Sequence, residues 1–373
     1  MLHAVYDAGL DFDCASRREL LSVRELARLP SDAARRIVYA NPCKSDRDIA
    51  CAKEMGSPVT VVDSIEELDK LKGYGGGALI RIAVDDSGSK MPFSTKFGAR
   101  QGIIKALSYL AKEDWLDIHG ISFHVGSSCL SGNAYRDAIR KAYATLRVVR
   151  EMGHADAQTI DIGGGYLPCE TDFKEKAAYI RDAIIEVNKQ ELSDGNQGVN
   201  FIAEPGRFFA TNTYDFFVQV IGKKRSKNFW SYTIDDSIYG QFTSVLFDHA
   251  EPQWVRIQGA TETETPRKFS EGVLFGRTCD SVDVIARAEH MEELEVGDWL
   301  WFPAMGAYTR ATASEFNGFP VPPIFVDSVQ INHRAFHGSK PKGLQYMPAV
   351  SAAQFWSGPQ PPNKIDGAAP HYV

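Results

Sequence analysis

The sequence predicts an α/β fold: a parallel barrel of the (β/α)8 type whose first strand is missing from the chain, followed by a mainly β C-terminal domain. Three observations carry this expectation. Seven short apolar segments rich in β-branched or aromatic residues run through the first 210 residues, which is how strands of a buried parallel sheet read. Helical signals opened by cap residues follow several of them, and repetition of strand, cap and helix makes the sheet parallel. Polar and glycine residues recur at the C-terminal ends of the segments, where parallel barrels keep their chemistry.

The strand signals fall at 12–16, 37–41, 59–63, 79–82, 121–126, 159–165 and 201–207. Ser16-Arg17-Arg18-Glu19 and Ser64-Ile65-Glu66-Glu67 are capping boxes, and Ser45 to Asp48 is a looser version. In each, the serine oxygen can accept from a free amide of the first turn, and the acid favours the positive end of the helix. A parallel barrel closes with eight strands, and seven would leave two unpaired edges facing each other. The first strand is therefore expected upstream of Met1. An open doubly wound sheet is the plainer alternative.

After about residue 213 the long helical patterns stop, and Phe216 to Ile221, Gly272 to Phe275 and Asp298 to Phe302 read as strands. The expected division is a barrel domain over 1–212, a β domain over 213–328 and a loosely ordered Pro/Gly-rich tail over 329–373.

The chain of 373 residues carries a net charge of −7. That balance argues against nucleic acid or an anionic membrane as partner and weakly favours a cationic small substrate. Its six cysteines show neither a CxxC pair nor secreted-framework spacing, so they read as reduced cytoplasmic thiols. No secretory leader and no run of membrane-span length is visible. No metal is expected.

Taken singly, the chemistry-bearing residues are ambiguous. Gly163-Gly164-Gly165 follows a strand and could let backbone amides cup a phosphate, but a tight turn is the commoner reason for such a run. Glu204-Pro205-Gly206-Arg207 puts a carboxylate and a guanidinium at the end of an apolar strand, costly to bury without partners; they could pair with each other. His124, followed by Gly126-Ser127, reads equally as a structural histidine. In the β domain, Cys279 reads as a buried filler thiol, Asp280 and Asp283 as a solvated pair, and Gly306-Ala307-Tyr308-Thr309 as a turn.

Together, these segments occur in the order and spacing of the ornithine decarboxylase family, pyridoxal-phosphate enzymes with an alanine-racemase-like barrel. Phe12 to Ser16, Tyr39 to Lys44 and Lys96 to Ala99 extend the resemblance, which covers about residues 10 to 328. It implies pyridoxal phosphate as cofactor. His124 would stack on the pyridine ring, and Glu204 would keep the ring nitrogen protonated. Ser127, Gly163, Gly164, Gly165, Gly206, Arg207 and Tyr308 would grip the phosphate. Asp13 would lie near the end of the cofactor that a lysine holds covalently. That lysine is expected on the strand upstream of Met1, and Lys44 does not replace it.

The resemblance further implies a homodimer with shared active sites. Cys279 would donate a proton into the neighbouring site, while Asp280 and Asp248, with Tyr239 nearby, would bind the distal ammonium of ornithine. Relatives that prefer arginine can carry a longer acid where this chain has Asp248. The implied reaction is decarboxylation of L-ornithine to putrescine, in polyamine biosynthesis. The alternatives are a decarboxylase of lysine or arginine and a catalytically inactive regulator of the antizyme-inhibitor kind. An antizyme-like protein is a possible partner. Ser128, Pro92 and Arg277 depart from the family pattern without removing an essential group.

Overall fold

A computed structural model describes residues 2–27, 30–113, 116–129, 131–226, 229–257 and 267–325. The tail expected over 329–373, and the last three residues of the expected β domain, lie outside the described residues. A seven-stranded sheet, a six-stranded sheet and a two-stranded ribbon of Ser89–Met91 and Ser127–Cys129 belong to one compact unit, residues 1–257 and 266–321.

Seven parallel strands run in sequence order: β1 (Phe12–Cys14), β2 (Ile37–Tyr39), β3 (Val59–Val62), β4 (Gly77–Arg81), β5 (Asp117–Ser122), β6 (Thr159–Asp161) and β7 (Asn200–Ile202). Registers such as Val61 opposite Leu79 and Ile160 opposite Phe201 set apolar residues side by side. Central strand β4 is buried along four of its five positions, as a sheet covered on both faces requires. Among the described residues no strand pairs with the outer edge of β1 or β7. Edge strand β7 accordingly leaves Ile202 36% exposed.

The strands are shorter than expected at their C-terminal ends. His124, the Gly163 to Gly165 run and Glu204 lie beyond the last ladder residue, and Arg207 sits in a short helix, Gly206–Ala210. The cause is backbone geometry: Gly126, Gly163 and Gly165 all have positive φ (85°, 65° and 90°), which turns the chain out of the ladder.

All three predicted caps form. Ser16, Ser45 and Ser64 accept from the amides of Glu19, Asp48 and Glu67 at 3.3, 3.3 and 3.2 Å. The acid of the third box does something else. Glu67 is buried, with a carboxylate 2.8 Å from Lys44 Nζ and a second contact to Lys70. Lys44 Nζ also donates to the Asn41 and Val61 carbonyls, so this lysine is fixed within the barrel wall.

A second, six-stranded sheet follows: β8 (Phe216–Arg225), β9 (Trp230–Ile234), β10 (Val255–Ile257), β11 (Phe269–Phe275), β12 (Val284–Glu292) and β13 (Trp299–Phe302), in the order β10-β13-β8-β9-β11-β12. It is mixed, since β9 and β11 are parallel. Alternate residues of β8, Val218 and Val220, point into a core with Tyr232, Leu274 and Leu300. Phe242 closes that core edge-on against Phe216 and Phe302, at 5.6 and 4.8 Å between ring centroids. Each such side chain taken out of water contributes about 2 kcal/mol.

All six cysteines are free thiols; Cys14, Cys51 and Cys129 are buried and Cys43, Cys169 and Cys279 exposed. Among the described residues no helix is long and apolar enough to cross a membrane.

Candidate active site

The C-terminal ends of the parallel strands open onto a cavity of about 450 Å3. Asp13 comes from β1, Arg81 from β4, His124 from the loop after β5, Ser127 from the short strand Ser127–Cys129 that follows it, Gly165 from the loop after β6, and Glu204, Gly206 and Arg207 from the segment after β7. Tyr308, from the loop after β13, closes one side, and Lys96 also lines the wall.

Backbone approach explains the glycines. A Cβ on Gly165 would stand 2.3 Å from the Gly126 carbonyl oxygen, and one on Gly164 would stand 2.4 Å from that of Glu204. Three strand-end loops therefore meet main chain to main chain, which only glycine permits. Tyr135 fixes the run from below, donating its hydroxyl to the Gly164 carbonyl at 2.8 Å.

His124 presents a neutral ring. Its Nδ1 accepts from the Gly126 amide at 2.9 Å, and Phe93 packs against it with centroids 4.8 Å apart. Burial, and after it the positive charge of Arg81, push its pKa down to about 4.

Three carboxyl groups cluster at the strand ends, Asp13 and Glu204 on the cavity wall and Asp161 hydrogen-bonded to Glu204. Asp161 is pushed up to about 6, chiefly by burial, although its Oδ1 accepts from the Gly163 amide at 2.9 Å. Glu204 is held well above the ordinary carboxylate range, first by burial and then by the negative charge of Asp161. Asp13 opens onto the cavity, yet the surrounding protein desolvates it, and together with Glu204 this raises its pKa too. Like charges this close favour keeping protons within the cluster. Arg81 answers them: its own pKa is lowered by burial and supported by Glu204, Asp63, Asp161 and Asp13, and its guanidinium lies 4.8 Å from the Phe97 ring centroid.

From sequence, Arg81 has no site role, and Asp161 enters only as the first residue of the family segment Asp161 to Gly165, with no role of its own. A signal for Arg81 existed, because a guanidinium inside the apolar run Leu79 to Ile82 requires buried carboxylates nearby.

Arg207 forms the other pole. Its Nη2 donates to Ser127 Oγ at 3.1 Å and to Asp248 at 2.9 Å, while the guanidinium carbon sits 4.5 Å from the Tyr308 ring centroid. Arg207 and Glu204 thus do not pair with each other as one reading allowed.

The remaining candidates stand apart from the cavity wall. Tyr239 donates its hydroxyl to Asp280, which lowers the carboxyl's pKa and raises the phenol's, and it stacks on Phe316 at 4.2 Å. Cys279 is exposed on the loop between β11 and β12. Asp283 is buried and shapes that loop, accepting from the Ile238 amide at 2.9 Å and from the Thr278 amide and hydroxyl at 3.0 and 2.6 Å.

Residues 1–211 match the family model described as "Pyridoxal-dependent decarboxylase, pyridoxal binding domain". A chloroplastic ornithine decarboxylase of Nicotiana glauca is 36% identical over 318 residues, which span 83% of this chain and 71% of that protein. The chain belongs to the ornithine decarboxylase family. Its cofactor is pyridoxal phosphate. The family resemblance extends to antizyme inhibitor 2 of Xenopus laevis, 37% identical over 335 residues, 85% of this chain and 71% of that protein. Among solved structures, the Paramecium bursaria Chlorella virus arginine decarboxylase bound to agmatine superposes with a TM-score of 0.77. It is 34% identical, and the match covers 85% of this chain and 84% of that one.

The donor set suits this cofactor. Arg207 Nε is buried without a hydrogen-bond partner, a free donor at the cationic pole, and at the opposite pole the Glu204 carboxyl is hydrogen-bonded to Asp161. The flat, neutral face of His124 lines the same cavity as Arg207 and Glu204, suited to an aromatic ring.

Proposed function

We propose that the protein decarboxylates L-ornithine to putrescine, with Asp248 and Asp280 reading the distal ammonium and Cys279 supplying the proton that replaces CO2. Bound in the cavity, pyridoxal phosphate supplies the electron sink that this bond cleavage needs. Arg207, Ser127, Gly206 and the amides of Gly163 to Gly165 bind its phosphate, Tyr308 flanks that end, and His124 orients its ring. Glu204, backed by Asp161, holds a proton at the ring nitrogen, and Asp13 faces the reacting end.

The observation that carries the choice of substrate is Asp248. It is a short acid tied by 2.9 Å contacts to Arg207, so an ammonium site sits directly beside the phosphate site. A carboxylate on so short a stem leaves room for the chain of ornithine. Cys279 is exposed, and Asp280 is held by Tyr239, which stacks on the exposed ring of Phe316. This placement supports a homodimer in which each copy lends both residues to the other's site.

Release of CO2 from carboxyl-labelled ornithine, lysine and arginine, measured on the product of the complete coding region with pyridoxal phosphate added, tests the proposal. Ornithine is the preferred substrate. A preference for lysine or arginine overturns the reading of Asp248. Cofactor binding without turnover of any of the three favours instead a regulator of the antizyme-inhibitor kind, the reading that the likeness to antizyme inhibitor 2 supports.

A further inference from the structure

The guanidinium of Arg207 is engaged by one carboxylate and remains open to more. Nη2 lies 2.9 Å from each oxygen of Asp248, and the two side chains are 13% and 17% exposed. Nη2 also reaches Ser127 Oγ at 3.1 Å, while Nε is buried with no partner. An ion pair at this depth is screened far less than a surface pair. Asp248 therefore neutralises the same cation that the phosphate needs, and a phosphate dianion on that nitrogen would stand against the carboxylate with like charge.

We propose that Asp248 occupies Arg207 in place of phosphate, and that arrival of the cofactor's phosphate hands Asp248 over to the cationic end of the substrate. This rests on the assignment of Arg207 to the phosphate made above. Phosphate prevails in the exchange because its several oxygens can meet Nη2, the unpartnered Nε and Ser127 together, where Asp248 meets Nη2 alone. Once displaced, Asp248 is a carboxylate without a counter-ion, which favours an ammonium. Before displacement that ammonium site is already satisfied by Arg207. Cofactor and substrate sites are thereby coupled through one side chain, and linkage makes the coupling reciprocal.

Calorimetric titration of inorganic phosphate into the wild-type protein and Asp248→Asn tests the exchange, with and without 1,4-diaminobutane. Asp248→Asn binds phosphate about fivefold or more tightly than wild type, and the diamine tightens phosphate binding to wild type by a similar factor while leaving the variant unchanged. Asp248→Ser, smaller and equally uncharged, shifts phosphate affinity in the same direction. Equal phosphate affinity in wild type and both variants overturns the exchange and leaves the phosphate assignment standing. Phosphate binding that is undetectable in wild type and Asp248→Asn, or unaffected by Arg207→Gln, overturns the assignment itself and the exchange with it.

Discussion

Replacing His124 by asparagine isolates the electrostatics of the cofactor platform. An asparagine Oδ1 can take the place of Nδ1 as acceptor for the Gly126 amide, so the loop keeps its 2.9 Å hydrogen bond while the titrating ring is lost. In the wild-type protein burial, and then Arg81, lower the imidazole's pKa from 6.5 to about 4. The sign follows from which state binds the proton first. As pH falls below 6.5 the unfolded chain is protonated while the folded ring is not. The stability His124 contributes is thus fully present above 6.5 and is lost as pH falls towards 4. At about 1.4 kcal/mol per pH unit the whole loss is about 3 kcal/mol. Asparagine does not titrate, so the difference in unfolding free energy between variant and wild type should move by about 3 kcal/mol in the variant's favour between about pH 7.5 and about pH 4. Urea unfolding of both proteins across that range measures it, and any damage to packing appears as an offset independent of pH. Parallel curves would show that the folded ring takes up its proton as readily as the unfolded one, and the neutral platform would be refuted.

Asp161→Asn should show a pH dependence of the opposite origin. Burial raises the carboxyl from 3.8 to about 6, so its contribution is present below 3.8 and lost as pH rises through about 6; the variant should gain on wild type by up to about 3 kcal/mol over that window. The same urea titrations check it, and a difference that stays constant with pH counts against the shift. Gly165→Ala places a Cβ 2.3 Å from the Gly126 carbonyl at a φ of 90°, which should destabilise the fold by about 2 kcal/mol or more. Melting temperatures with and without pyridoxal phosphate test this: the variant should melt lower and gain less from the cofactor, and full retention of that gain would argue against a cradle here.

How much of this was legible depended on how local the cause was. The caps at Ser16, Ser45 and Ser64 span four residues each and could be read directly. A central strand such as β4 could be read because burial on both faces leaves an apolar run, Ala78 to Ile80. Strand ends could not, since polar residues after a strand look like part of it until the glycine dihedrals turn the chain. In the second sheet β12 escaped notice because its half-exposed sequence, Val284 to Glu292, interleaves Arg287, Glu289, His290 and Glu292 with apolar residues. β9 carried the signal of Trp230, Tyr232 and Ile234 alternating with polar positions and was overlooked. The site followed the same rule. The types of residue at Glu204, His124 and Arg207 suggested chemistry, but the partners did not show. Asp161 lies 43 positions before Glu204 in sequence, and Asp248 lies 41 after Arg207. Only folding brings them together.

The two poles of the cavity act on a ligand before any contact is made. Asp13, Asp161 and Glu204 gather at one end with Arg81, whose guanidinium shares the Phe97 ring with Lys96, and Arg207 marks the other end. A low-dielectric cleft focuses such a separation of charge into a directed field. A molecule with a phosphate at one end and a protonatable ring nitrogen at the other is a dipole in that field, and only one of its two orientations is downhill. The cavity therefore selects heading as well as shape. A flat aromatic of the same size with neither phosphate nor ring nitrogen has no reason to enter one way round rather than the other.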